Sequence, residues 1–308
     1  MNREIKGALL TLSGGACWGL SGSMGQYLFT RQGMDSRWLV PIRLGLAGII
    51  LFFFCLQRYG AKLLFQPWKS RRDAFELIVY GLFGVSLCQF LYFLTIQLST
   101  AGVATILQNL SPIMILLCSC IHLKRKPHAY ELIAIALALL GIFLLTTHGN
   151  LHSFAVPLSA LITGILSAVC VTVYNITPTH LMSCFPVTVM QAWSFLIGGS
   201  VISLIFRPWQ IHYVPNAICI FGIAFVVVVG NILAFTCYIT GVKYIGPEKS
   251  ILYGFAEPIT AAIISTAVLG SPFTLWDVLG FAAVFAMLTL ISVGDRLPHS
   301  ARKSVSGF

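Results

Sequence analysis

Acid is what this sequence has least of. Nine Asp and Glu stand against nineteen Lys and Arg in 308 residues, and the four types together make up only 9% of the chain. Soluble proteins draw on about 25% charged residues, so this chain lacks the means to cover itself in water. No GxxxxGK[ST] phosphate loop is present, which removes nucleotide hydrolysis within the chain as an energy source. There is no GxSxG elbow and no HExxH, and all seven histidines fall near the ends of apolar runs or between them. A hydrolase nucleophile, a zinc site and a histidine proton relay each miss their main part, so no enzyme activity, cofactor or metal is expected. The nine cysteines show no CxxC spacing and mostly sit inside apolar runs, where a thiol packs as a small side chain.

What the chain has instead is apolar length. Hydrophobic residues make up 57% of it and the mean hydropathy is +0.89. Runs of roughly 18 to 25 residues, each sufficient to cross a hydrocarbon core of about 30 Å as a helix, recur from end to end. The expected spans are 7–29, 38–57, 74–96, 101–122, 129–147, 156–179, 187–206, 216–241, 248–269 and 275–294. The first is too long for a signal-peptide core and lacks a small-residue cleavage site, so it is read as a retained helix. The expected fold is an all-α integral membrane protein of ten transmembrane helices.

A formal charge of +10 raises the question of nucleic acid, and the placement of the cations answers it. With both termini in the cytoplasm, one side receives Arg3, Lys6, Arg58, Lys62, Lys69, Arg71, Arg72, Lys124, Arg125, Lys126, Lys243, Lys249, Arg296, Arg302 and Lys303, while the other receives Arg31, Arg37 and Arg207. This is the positive-inside pattern, with anionic membrane lipid as the partner it suits and nucleic acid excluded.

Sliding the sequence against itself by 146 residues superposes Pro112 on Pro258, Gly84 on Gly230, Tyr92 on Tyr238 and Glu131 on Asp277. The chain therefore reads as two five-helix repeats, 1–150 and 151–308, the second with a short cytoplasmic tail. An odd number of crossings per repeat inverts the second copy relative to the first, and substrate sites in such proteins lie near the midplane where the repeats meet.

Three stretches carry a family likeness: "ACWGLSG" in the first span, the paired "AGVATILQNLSPIMILL" and "GPEKSILYGFAEPITAAII", and "VLGSPFTLWDVLG" after the ninth span. With ten spans, these resemble the EamA group of the drug/metabolite transporter superfamily over essentially the whole chain. The resemblance implies a basket of ten helices in two inverted repeats in a bacterial inner membrane, moving small metabolites such as amino acids, amines or carboxylates, often outward. Many members carry an acidic residue after the fourth and ninth spans, where this chain has Arg125 and Ser271.

Glu257 beside Pro258 is the feature that an apolar span tolerates least. A charged carboxylate facing lipid near the bilayer centre costs on the order of 2.5 to 3.5 kcal/mol on insertion scales, so the residue is expected to face protein or water. Ser250, Tyr253, Gly254, Glu257, Thr260, Ala261 and Ser265 share one helical stripe, which reads as a cavity wall. Glu257 suits a proton carrier or a counter-ion to a substrate ammonium group; a neutral hydrogen-bonding role beside a kink is the bland reading. Pro258 and Pro112 cannot donate to the carbonyls of Gly254 and Gln108, which makes two helix breaks at matching depth, either mechanical points or plain kinks. Arg43 is the other charge inside a span: it can snorkel outward, hold a structural hydrogen bond, or bind a carboxylate.

Gln89, Tyr92, Gln108, Asn109, Tyr174, Gln191, Asn231, Tyr238 and Tyr253 are the uncharged polar candidates within spans, each equally suited to an interhelical hydrogen bond. Trp18 and Trp193 are mid-span aromatics placed to wall a cavity, and Gly15, Gly19 and Gly22 suit close helix packing.

The reading is a secondary transporter working by alternating access, an exporter of small metabolites with protons as a coupling partner. Drug-like amines or carboxylates under a different coupling mode, and a non-transporting scaffold or sensor, are the alternatives. Reporter fusions test the frame on which all of this rests: fusions at 58–72, at 124–128 and after the C-terminal tail should report the cytoplasm. An external C-terminus would remove both the ten spans and the inversion.

Overall fold

The computed structural model describes residues 3–122, 124, 126–147, 156–176, 179–245, 253–254 and 256–294, and every regular element among them is a helix. Arg125, Lys249, Ser250 and the tail from 295 onward lie outside the described residues, as does the side chain of Tyr174. In chain order the helices are α1 (Arg3–Gln32), α2 (Ser36–Leu64), α3 (Arg71–Val79), α4 (Leu87–Leu98), α5 (Ala101–Gln108), α6 (Ser111–His122) and α7 (Ala129–Thr147). There follow α8 (Leu158–Ile176), α9 (Thr179–Cys184), α10 (Val187–Phe206), α11 (Ala217–Phe225), α12 (Ala234–Ile245), α13 (Ala256–Ala267) and α14 (Leu275–Gly294).

Five segments among the described residues are long and apolar enough to cross a membrane: Ser36–Lys69, Arg71–Leu98, Ala101–Cys118, Val187–Phe206 and Ala217–Val242. Ala129–Leu145, Leu158–Val173 and Leu275–Ile291 are shorter apolar helices. The chain is a membrane protein, and its surface says so. Phe53 (58% exposed), Leu139 (62%), Leu204 (68%) and Phe221 (65%) face outward, while Arg43, Asn231, Gln191 and Thr95 are buried. That distribution is stable where lipid is the solvent.

Two continuous helices change their winding midway. Between α3 and α4 the segment Tyr80–Ser86 is π-helical, and between α11 and α12 so is Val226–Leu233, which begins 146 residues later. Their N-termini match at the same spacing: the Ser70 hydroxyl accepts from the Asp73 N–H, and the Asn216 side chain accepts from the Cys219 N–H at 2.8 Å. The N-termini of α7 and α14 match too. Glu131 accepts from the His128 N–H at 2.6 Å and Asp277 from the Thr274 N–H at 2.7 Å, as in capping boxes. Each cap satisfies a donor that the helix start would otherwise leave open to lipid.

The first expected helix break is present but displaced. It falls at Asn109–Leu110, so Pro112 stands in the first turn of α6, where a missing N–H is harmless, and Gln108 ends α5. Pro258 is the third described residue of α13, Tyr253 and Gly254 before it are also helical, and the residue between lies outside the described residues.

Glycine fixes the crossings. α2 packs along α10, α7 along α14, α1 along α12 and α13, and α4 along α8. A Cβ at Gly199 would lie 2.7 Å from the Gly45 nitrogen and 3.0 Å from its Cα, so the backbones of α2 and α10 meet directly there. A Cβ on Gly45 itself would meet nothing within 4 Å. Gly199→Ala should therefore lower the thermal stability of the detergent-purified protein by about 1–3 kcal/mol, because backbone cannot move aside as a side chain can. Gly45→Ala should leave the melting temperature unchanged or slightly raised.

Candidate functional site

The α1 helix supplies the floor of the site because its glycines let it sit against α13. A Cβ at Gly19 would be 2.5 Å from the Glu257 carbonyl oxygen, and one at Gly15 would be 3.1 Å from the Gly254 oxygen. Trp18 and Ser21, on the next faces of the same helix, then point into a cavity of about 190 Å³. Arg43 from α2, Cys88, Gln89, Tyr92 and Phe93 from α4, and Gln108 and Asn109 at the α5 break line it as well. Gln191 from α10, Phe235 from α12 and Glu257 from α13 complete the wall.

Glu257 looks onto this space. The ionisable groups around its carboxyl are Tyr92, Tyr238 and Cys88. At about 1.5 Å per residue Glu257 lies roughly 15 Å from the Ala267 end of α13, deep in the bundle.

Arg43 does not snorkel. It is 2% exposed, its Nη2 donates to Asn231 Oδ1 and, at 3.3 Å, to Gln89 Oε1, and its guanidinium carbon sits 4.0 Å from the centre of the Phe93 ring. Two neighbouring helices hold the side chain inward, α4 through Gln89 and Phe93 and the Val226–Leu233 segment through Asn231, which its position near the start of α2 could not disclose. Among the described residues no carboxylate lies within ion-pair distance of it, so Arg43 and Glu257 do not pair.

Other expected residues divide. Gln108 donates to Ser167 Oγ at 3.0 Å and to Cys88 Sγ at 3.1 Å, and Asn109 bonds back to the Thr105 carbonyl at 2.7 Å. Asn231 is buried against Arg43, and Tyr238 packs on Trp18 with ring centres 5.0 Å apart, so it backs the wall. Tyr253 is 37% exposed and stands away from the cavity, a correction to the stripe that put it there. Trp193 is also elsewhere: its Nε1 donates to the Leu64 carbonyl at 2.8 Å within a cluster with Phe52, Phe65 and Trp68. The stripe holds at Ala261 and Ser265, which are buried.

Sequence reasoning missed Gln26. This 3% exposed side chain lies between the central cavity and the end of the bundle marked by Gln32. Its Oε1 accepts from the Ala101 N–H at 2.8 Å and from Ser265 Oγ at 2.7 Å, while its Nε2 donates to Ser271 Oγ at 2.7 Å. One amide thus ties α1 to the start of α5 and the end of α13. Its signal was present: positions 15, 19, 22 and 26 form one stripe on α1. Ser271, where an acid was expected, serves as its acceptor.

Beyond this tie, at the Gln32 end, a separate cavity of about 230 Å³ is lined by Ser99, Thr100, Ser265, Ser271 and Asp277 among others, and it shares no lining residue with the central one. Toward the Leu64 end a groove of about 530 Å³ between α2, α10 and α12 shares Gln191 and Phe235 with the central cavity. The central space thus has the Gln26 tie between it and the cavity at the Gln32 end, and shares two wall residues with the groove toward the Leu64 end. Gln26→Leu should lower the melting temperature by the equivalent of about 1–3 kcal/mol, since it strands the buried Ala101 N–H and Ser265 hydroxyl; an unchanged melting curve would show that the tie contributes nothing.

Comparison with known proteins adds the relations. The family model described as the EamA-like transporter family matches the chain twice, over residues 5–147 and 158–293. A Salmonella typhimurium protein named as the uncharacterized inner membrane transporter YicL is 34% identical over 296 residues, covering 96% of this chain and 98% of that one. The Bacillus subtilis transporter YyaM is 24% identical, covering 86% and 87% respectively. A solved crystal structure shares the fold with a TM-score of 0.62 at 15% identity, over 94% of this chain and 97% of its own.

Proposed function

The chain belongs to the EamA-like transporter family, and on that premise we propose that it is a secondary transporter of the bacterial inner membrane, exporting a small polar metabolite such as an amino acid or a related compound. The observation that carries this reading is an interior cavity with the two charged side chains Arg43 and Glu257 in its wall, inside a bundle with an apolar exterior, with the Gln26 tie on one side and a groove sharing Gln191 and Phe235 on the other. A scaffold or sensor has no use for such a chamber.

The proposed architecture is ten crossings in two inverted repeats, 1–150 and 151–308. The 146-residue spacing supports it at every level, from caps (Ser70 and Asn216) and π-helical segments (Tyr80–Ser86 and Val226–Leu233) to prolines and capping acids (Glu131 and Asp277). Contacts repeat in the same manner, since α1 against α12 has its counterpart in α8 against α4. The bias of Lys and Arg supports cytoplasmic termini. On that orientation the Gln32 end is external, and the groove toward the Leu64 end lies on the cytoplasmic half of the bundle.

Transport would proceed by alternating access. The solute enters from the groove side, the two halves rock about the central site, the Gln26 tie opens, and release follows outside. Glu257 serves as proton carrier or as counter-ion to a substrate ammonium group. Either role needs a titratable acid: desolvation disfavours the charged form of a carboxyl, so an incoming proton or cation stabilises it there. Reconstituted vesicles with an imposed pH gradient test this with labelled amino acids, amines and carboxylates. Glu257→Gln should insert normally and lose gradient-driven flux by tenfold or more, and Glu257→Asp should keep part of it. Undiminished flux in the glutamine variant would leave the carboxylate without a part in coupling.

A further inference from the structure

Among the described residues seven buried side-chain polar atoms have no hydrogen-bond partner, and apart from Ser36 Oγ and Glu76 Oε2 they belong to Arg43 and to residues at or beside the central cavity. Buried nitrogens without a hydrogen-bond partner include Nε and Nη1 of Arg43, Nδ2 of Asn231 and Nε2 of Gln191, together with the hydroxyl of Tyr92. The orientation of Asn231 follows from chemistry: a guanidinium only donates, so the oxygen of Asn231 must face Arg43 and its amide nitrogen must face away. Gln89, the other partner of Arg43, likewise spends its oxygen on the guanidinium. Every neighbour that could have neutralised the cation is itself neutral.

A buried charge without a counter-charge is expensive, and removing one partner of a buried pair typically costs several kcal/mol. The pole around Arg43 therefore has the composition of a half-made ion pair. The guanidinium is already oriented, 4.0 Å from the Phe93 ring centre and anchored through Nη2, while Nε and Nη1, on different edges, each keep a free donor. The species that fits is a compact acceptor-only anion such as a carboxylate, one oxygen taking a charge-assisted hydrogen bond from the guanidinium and the other free to accept from a neighbouring amide.

We propose that Arg43, with Asn231 and Gln191 beside it, is a receptor for the carboxylate of the transported solute, and that this pole decides which solutes the cavity accepts. The identity of the occupant as a transported solute rests on the transport reading above; the receptor itself does not. Glu257, on the α13 wall with Tyr92 near it, is left to the cationic end of the solute or to the proton. A molecule carrying an amine without a carboxylate leaves the donors unfilled, and rejection by unpaired buried polar groups is the strong form of discrimination.

Acetate is the smallest probe of the pole, because it carries the carboxylate and little else. With the full-length chain purified in detergent, acetate should raise the melting temperature in a saturable manner, whereas acetamide, chloride at equal ionic strength and inorganic phosphate should not. Arg43→Lys, which keeps the charge and loses the guanidinium, should weaken acetate binding tenfold or more. Asn231→Asp places a carboxylate inside the pole: it should raise the melting temperature of the free protein and abolish the acetate effect with Arg43 intact. Acetate no better than acetamide or chloride, an effect stronger with phosphate, or acetate binding that survives in both variants would overturn the receptor. Counterflow in vesicles separates the two readings. Flux of amines and amino-acid amides but not of amino acids would keep transport and overturn the receptor. Acetate binding without flux of any labelled solute would keep the receptor and overturn transport.

Discussion

Contact between backbones, made possible where α1 carries no side chains, is the constraint from which the site follows. A Cβ at Gly14 would lie 2.8 Å from the Ala234 carbonyl oxygen and one at Gly19 2.5 Å from that of Glu257, so α12 and α13 close on α1 as near as two helices can. In lipid there is no hydrophobic gain from bringing helices together, and van der Waals contact of this kind carries the association. The approach aims Trp18 and Ser21 at the space that Glu257 faces from the neighbouring helix. Were α1 held off by the width of a methyl group, the cavity floor would drop away and the Gln26 amide would lose its reach to Ala101 and Ser265.

The polarity of the molecule runs inside out relative to a soluble protein, and the two surfaces follow different rules. The outer one needs only to match acyl chains, and its Phe, Leu and Ile are interchangeable in kind. Inside, each polar group is fixed by a partner: Gln108 by Ser167 and Cys88, Thr95 by Thr163, Tyr80 by Gln191. Where partners run out around Arg43, the unused nitrogens are all donors. Phe93 supports the cation with its ring face, a contact that strengthens as the charge is desolvated.

Much of this was legible from spacing alone. The starts of α7, α10 and α14 agree with the apolar runs, because Glu131, Pro186 and Asp277 mark starts that local chemistry dictates. Glu257, Trp18, Tyr92, Gln89, Gln108 and Asn109 were found as cavity residues, since a polar side chain in an apolar run has few places to go. What failed depended on neighbours distant in sequence. The inward turn of Arg43 is imposed by Asn231 and Phe93, and the removal of Trp193 from the cavity by Phe52, Phe65 and Trp68. Tyr253 shares a helical stripe with Glu257 yet stands exposed and off the cavity wall. Gln26 was overlooked for a plainer reason: an amide is quieter than a charge, and its three partners come from segments far along the chain.

The π-helical segments have a consequence for how this chain can change in length. Each α-helical residue advances the side-chain direction by about 100°, so a helix that passes through a π turn carries its later residues out of step with its earlier ones. Tyr80–Ser86 stands between the cap at Ser70 and the lining residues Gln89 and Tyr92; Val226–Leu233 stands between the cap at Asn216 and Phe235. Returning either segment to ordinary winding with every residue kept would swing everything downstream by more than a quarter turn, taking Tyr92 or Phe235 off the cavity wall, whereas deleting one residue along with that return would leave the downstream faces nearly where they are. The two segments thus act as phase setters, and an alignment gap of a single residue there is compatible with a shared site.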